Sequence, residues 1–175
     1  MFFSLIMIAA APLLAEAQAV EPPEQEAKFV AVDLHPWSAV GKLNNGLFGG
    51  CTAVLISDDY ALTAAHCLYF KILRRFLQPE SFHFVLGYDN QSLGKHLHVV
   101  AYHIPPAYDP RKPFESIAND WALLQVASDP KTDSKPISVA HEVDLTVQTE
   151  VMTAGYSSRR PHKMSADKDC RIIAS

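Results

Sequence analysis

The sequence has little of what several large classes of protein require. Its 15 Lys and Arg are outnumbered by 19 Asp and Glu, which gives a formal net charge of −4 at pH 7. Its densest basic stretches are only the pairs Arg74-Arg75 and Arg159-Arg160. Nucleic acids are bound by basic patches or stripes, so we expect no nucleic-acid partner. With 12 Pro against 7 Gly, we expect many turns and few long helices.

One apolar run stands at the N-terminus, and no other stretch is long enough to cross a bilayer. The run extends from Phe2 to Leu14, and two A-x-A sequences follow it, ending at Ala17 and Ala19. This pattern is typical of a secretory signal peptide, although no Lys or Arg precedes the run. A transmembrane anchor is the alternative. We predict a signal peptide over residues 1–17 with cleavage after Ala17 or Ala19, a secreted or periplasmic protein, and no membrane association after cleavage.

Beyond the signal peptide, the pattern is that of an all-β protein. Residues 18–28 are polar and are predicted to be a disordered N-terminus. From residue 29 onward, short apolar stretches alternate with polar turns, which is typical of a sandwich or a barrel. Only residues 64–77 have a helical pattern, for a turn or two. Strands are predicted within residues 29–34, 37–41, 47–56, 60–63, 82–87, 97–104, 121–126, 137–140 and 149–156 and from 170 onward, with a polar loop over 157–169.

Two segments contain residues that are suited to catalysis. In GGCTAVLIS (49–57) and ALTAAHC (61–67), Cys51 begins a strand and His66 directly precedes Cys67. In NDWALLQ (119–125), Asp120 stands at the head of an apolar strand. A buried carboxylate needs a hydrogen-bond partner, and His66 is the natural one. Asp120 would accept from the His66 Nδ1–H and leave Nε2 free to take a proton from a nucleophile. A plain core His and a surface or helix-capping Asp are the alternatives.

These segments resemble the signature blocks of the chymotrypsin/trypsin family of serine proteases. GGCTAVLIS, LTAAHC and NDWALLQV occur in the family's chain order, His before Asp. The resemblance covers residues 29–175, and HPWSAVGKLN, HFVLGY and TAGYSSRRPH look most like its bacterial secreted branch. It implies a double β-barrel fold and hydrolysis of protein or peptide substrates. We expect no cofactor, and we expect no metal because the sequence offers no convincing set of ligands. The first barrel, of six strands, would span residues 29–126, and a partial second barrel would span 127–175.

The resemblance also assigns roles to individual residues. His66 would be the general base and acid, and Asp120 would orient its ring, as in the Ser-His-Asp triad that defines this family. Cys51 and Cys67 would form the family's disulfide beside the His, the alternative being two free buried thiols. Cys170 resembles a family Cys whose partner lies further along the chain, so it is predicted to be unpaired.

The family's nucleophile has no counterpart in the sequence. That Ser lies in a Gly-Asp-Ser-Gly block, and no Ser of these 175 residues stands in such a block or in G-x-S-x-G. The family's oxyanion hole and specificity pocket come from the same region. We therefore expect that the chain ends before its nucleophile, that its second barrel is truncated, and that it is inactive as it stands. A secreted non-catalytic pseudoprotease that acts as a binding module is the alternative.

Overall fold

The computed structural model describes residues 28–45, 50–90, 94–127, 135–140 and 146–173. The predicted signal peptide lies outside the described residues, as does the predicted N-terminal tail apart from Lys28. The described part is all-β with a few 3₁₀-helices, as the sequence predicts. The 3₁₀-helices are Trp37–Ala39, Ala65–Leu68, Pro79–Ser81 and Ile117–Asn119. The strands are β1 (Lys28–Phe29), β2 (Val40–Asn44), β3 (Gly50–Leu55), β4 (Tyr60–Thr63), β5 (Tyr69–Phe70), β6 (Arg75–Phe76), β7 (His83–Leu86), β8 (Lys95–His103), β9 (Ala122–Ala127), β10 (Glu150–Ser157) and β11 (Arg160–Arg171).

Six of these strands close into an antiparallel barrel in the order β2-β3-β4-β9-β8-β7. Alternate side chains point inward, because successive residues of a strand face opposite sides of the sheet. In β4, for example, Ala61 and Thr63 are buried whereas Tyr60 and Leu62 are exposed. The barrel is filled by apolar side chains that are almost completely buried, among them Leu55, Phe82, Phe84, Leu97 and Leu124. The predicted six-stranded barrel is therefore confirmed.

A second, three-stranded sheet has the order β1-β11-β10. Its long hairpin turns at Ser158 and Arg159, since Ser157 pairs with Arg160. The sequence pattern predicted a loop over residues 157–169, and this is wrong, because most of the segment belongs to β11. Phe29 pairs with Ser165 of this sheet rather than beginning the barrel, and Lys28 pairs with Ala166 rather than lying in a disordered tail. Residues 137–140 form no strand, although the Ile137 N–H donates to the Leu55 carbonyl at 2.9 Å.

The sheet is held against the barrel by a small apolar cluster and by hydrogen bonds, two of which involve Tyr156. Val40 of the barrel packs with Tyr156 and Met164 of the sheet, and all three are buried. The Tyr156 N–H donates to Thr52 Oγ1 at 2.9 Å, and the Tyr156 hydroxyl donates to the Tyr88 carbonyl at 2.6 Å. Burial raises the pKa of the Tyr156 phenol well above its ordinary value, and the nearby charge of Asp89 raises it further.

Candidate active site

His66 lies on a one-turn helix that follows β4. Residues three apart eclipse one another in a 3₁₀-helix, and Ala65 and Leu68 occupy the inward face with no exposed surface. His66 therefore points outward, and 57% of its side chain is exposed. The next residue, Cys67, forms a disulfide with Cys51 of β3, with 6.1 Å between their Cα atoms. The predicted disulfide is confirmed, and it fixes the helix to the neighbouring strand.

Asp120 meets His66 because of the register between β4 and β9. Thr63, the last residue of β4, pairs with Ala122, the first residue of β9. His66 lies three residues beyond one strand end and Asp120 two residues before the other, so the two side chains share one end of the barrel. The helix Ile117–Asn119 ends at Asp120, whose N–H donates to the Ile117 carbonyl at 3.1 Å.

The carboxylate of Asp120 holds His66 at two points. Its Oδ1 accepts the backbone N–H of His66 at 2.8 Å, and its Oδ2 lies 2.7 Å from His66 Nδ1. The Asp120 side chain is only 18% exposed, so the contact with Nδ1 is partly shielded from water. A carboxylate in this position favours the tautomer with the proton on Nδ1 and leaves Nε2 as an acceptor. The arrangement can take up and return a proton at Nε2.

Tyr108 is a neighbour of Asp120 that the sequence pattern did not single out. It is 8% exposed and belongs to the barrel core. Burial raises the pKa of its phenol, and the negative charge of Asp120 raises it further. Tyr108 follows Pro105-Pro106 in an irregular segment without periodicity, so no pattern in the sequence indicated its position. Tyr108 thus places an un-ionised phenol next to Asp120.

A groove of about 450 Å³ opens beside His66. The disulfide forms part of its wall, and most of the other lining side chains are apolar. Among the described lining residues, Lys71 is the one Lys, Arg, Asp or Glu. The His66 side chain forms part of the groove wall. The lining residues are Leu43, Asn45, Gly50, Cys51, His66, Cys67, Tyr69, Phe70, Lys71, Ile72 and Phe82.

The third cysteine and one group of potential metal ligands lie within the described residues. Cys170 is a half-buried free thiol on β11, 3.8 Å from the Thr153 hydroxyl. Ligand atoms of Cys51, His66 and Cys67 lie within 4.8 Å of one another. Both of those sulfurs are in the disulfide, so this set offers only an imidazole in the oxidised protein. Over the described ranges, the chain has no helix of the length and apolarity needed to cross a membrane.

A closed six-stranded antiparallel barrel with a His–Asp pair at one end defines the class of trypsin-like peptidases. The family model for Trypsin matches residues 27–169, which is most of the sequence. The chain therefore belongs to the trypsin family of serine proteases, as its sequence motifs predict.

Among solved structures, the chain is similar to one titled as a Glu endopeptidase in complex with MPD. The two are 15% identical, with a TM-score of 0.69 over 85% of this chain and 68% of that chain. At this identity the likeness concerns the fold, and it confirms the all-β, trypsin-like architecture. No curated protein matches the sequence.

Proposed function

We propose that this chain supplies the proton-transfer half of a serine endopeptidase, with His66 as general base and acid and Asp120 as the residue that orients it. The observation that supports this most is the two-point contact of the Asp120 carboxylate with His66, at 2.8 Å to the backbone N–H and 2.7 Å to Nδ1. In the triad of this family, Nε2 takes the proton of a Ser hydroxyl as it attacks the peptide carbonyl, and later gives it to the leaving amine.

The nucleophile of this reaction would come from a Ser-bearing segment outside the 175 residues. When any one triad member is removed, enzymes of this family still accelerate hydrolysis about 10³–10⁴-fold over the reaction in water. That residual activity comes from the oxyanion hole and substrate binding. In the family, the donors of that hole lie beside the Ser, so they would be missing as well. We therefore expect no measurable proteolysis from these residues alone.

The substrates would be proteins or peptides, and the site of action would be outside the cytoplasm. The groove beside His66 is open and mostly apolar, as a surface that accepts an extended peptide would be. The Cys51–Cys67 disulfide is of a kind that persists in oxidising compartments. Together with the signal-like N-terminus, this disulfide supports the proposal that the protein is secreted or periplasmic.

A fluorophosphonate probe tests the proposal, because it labels a Ser only when a neighbouring base activates it. We expect no labelling of the purified 175-residue chain. In the native secreted fraction we expect a labelled species that contains residues of this chain together with a Ser-bearing segment, and no such labelling after His66→Ala. Labelling of the 175-residue chain by itself would refute the absence of an activated Ser.

The His–Asp pair can be tested independently by proton NMR. We expect the His66 Nδ1–H resonance far downfield of the other ring N–H signals, since that proton lies in a short hydrogen bond to a carboxylate. In Asp120→Asn the signal should move upfield, and in the matched control Asp109→Asn it should stay. If NMR shows the His66–Asp120 hydrogen bond but the fluorophosphonate probe labels no native species, the protein would instead be a non-catalytic binding module.

A further inference from the structure

The hairpin β5–β6 has a tip of unusual composition. Its two strands pair through Tyr69 with Phe76 and through Phe70 with Arg75, so residues 71–74 form a four-residue loop. Ile72 and Leu73 are its central residues, and they are 74% and 52% exposed. The basic residues on either side, Lys71, Arg74 and Arg75, are exposed as well. Two apolar side chains thus project into solvent between three cations.

Backbone hydrogen bonds and an aromatic contact hold the hairpin together below its tip. The Arg74 N–H donates to the Lys71 carbonyl at 3.3 Å and closes the loop, and Arg74 adopts φ 49°. Below it, the Tyr69 and Phe76 rings meet edge to face at 5.2 Å. The Leu77 N–H donates to the Leu68 carbonyl at 3.0 Å, which ties the end of the hairpin to the helix that carries His66. The base of the hairpin is therefore joined directly to the helix that carries His66.

We propose that this tip docks on the surface of an anionic lipid membrane. At such a surface, the cations meet acidic headgroups while Ile72 and Leu73 enter the boundary between headgroups and acyl chains. An acidic polymer or peptide would satisfy the three cations but leave the apolar pair in water. Within the described ranges, none of Lys71, Arg74 and Arg75 forms an ion pair with an acidic side chain, so their charge is available to a partner.

The electrostatic attraction to an anionic membrane comes from the tip and not from the protein as a whole. The formal net charge is −4, so an anionic surface would repel the protein unless the basic tip faced it. This orientation places the groove beside His66, which Lys71 and Ile72 help to line, close to the membrane. The sequence predicts no membrane association because it has no long apolar run beyond the N-terminal one. That criterion identifies membrane-spanning segments and does not identify a short loop that binds a membrane surface.

Vesicle co-sedimentation tests the proposal directly. We expect the protein to bind vesicles of phosphatidylserine and phosphatidylcholine and not vesicles of phosphatidylcholine alone, with binding that weakens as salt increases. The triple variant Lys71→Gln, Arg74→Gln, Arg75→Gln should bind about 100-fold more weakly, at about fivefold per cation. The matched control removes three other exposed cations, Lys95, Lys135 and Arg159, and should keep most of the binding.

The apolar pair needs a separate variant, because charge alone does not distinguish a membrane from another polyanion. Ile72→Ser with Leu73→Ser should lower binding by about tenfold or more, since part of each side chain is buried on docking. The control pair Val139→Ser with Val147→Ser changes two apolar side chains that are 53% and 49% exposed in the free protein, and it should bind normally. In Leu73→Trp, the added Trp emission should shift to the blue when anionic vesicles are present.

Three results would overturn the proposal. The first is no binding to anionic vesicles, and the second is binding that the triple charge variant does not weaken. The third is binding that depends on charge but not on Ile72 and Leu73, together with stronger binding to heparin, which would identify a polysaccharide site. None of these results bears on the His66–Asp120 chemistry, which the fluorophosphonate experiment tests separately.

Discussion

A methyl group added at Gly155 should reveal how tightly the sheet sits on the barrel. A Cβ at this position would lie 2.5 Å from Thr52 Oγ1 and 3.3 Å from Thr52 Cβ. The same Oγ1 accepts the Tyr156 N–H at 2.9 Å, so it cannot turn away without losing a hydrogen bond. Overpacking of this kind costs about 1–3 kcal/mol. We expect Gly155→Ala to lower the free energy of unfolding by that amount.

The cause can be isolated with a second substitution at the other end of the contact. Thr52→Ala alone removes the acceptor of the Tyr156 N–H and should cost about 1–3 kcal/mol. In that background, Gly155→Ala no longer meets an oxygen, and its cost should fall to about 0.5 kcal/mol or less. The coupling energy between the two sites should therefore be about 1–2 kcal/mol. Thr52→Ser keeps the oxygen and should not relieve the clash.

Urea unfolding followed by Trp fluorescence measures all of these variants. The reasoning fails if Gly155→Ala costs the same in the Thr52→Ala protein as in the wild type, because the clash would then not involve Oγ1. It also fails if Thr52→Ser relieves the clash as well as Thr52→Ala does. Thr52 follows Cys51 on β3, so the His66 Nδ1–H resonance should also shift in Gly155→Ala if the clash displaces this strand.

Three further predictions concern stability. Replacing Cys51 and Cys67 by Ala opens a loop of sequence separation 16 and should cost about 3 kcal/mol; an unchanged thermal midpoint would contradict this. Met164→Ala, at a 1% exposed position, should cost about 2–5 kcal/mol, whereas Met152→Ala, at a 58% exposed one, should stay within about 0.5 kcal/mol. The folded protein keeps the Tyr156 proton above about pH 10, where unfolded Tyr loses it, so stability should fall as the pH rises past that point. Tyr156→Phe should flatten this alkaline decline in urea titrations, and an equally steep decline would show that another group causes it.

Most strands of the barrel, and the positions of His66 and Asp120 beside strand ends, could be predicted because local sequence determines them. In the strands of the barrel, inward apolar residues alternate with outward ones, and the turn residues Ser57, Asp58 and Asp59 precede β4. His66 and Asp120 stand directly beside those strands, so a correct assignment of the strands already places them at strand ends. Their contact depends on the register Thr63 to Ala122, which the sequence pattern alone did not specify and the family resemblance implied.

The second sheet could not be predicted in the same way. Strand β11 buries only Met164 and Ala166, and polar residues occupy nearly all its other positions. Two buried apolar residues among twelve are too few to produce the alternating apolar and polar pattern that indicates a strand. Its hairpin turns at Ser158-Arg159, without the Asn-Gly or Asp-Gly that usually indicates a two-residue turn. Lys28–Phe29 joins this sheet across more than 130 residues of chain, a pairing that no local pattern indicates.

The barrel that carries the His–Asp pair is complete once the chain reaches Ala127. Chains emerge from the ribosome N-terminus first, and domains fold largely as units in that order. The segment from β2 to β9 contains both members of the pair and both sulfurs of the disulfide beside His66. During synthesis, the imidazole would therefore be oriented by its carboxylate before the residues of the second sheet are added. Under our proposal, a Ser-bearing segment would meet a base whose tautomer is already set.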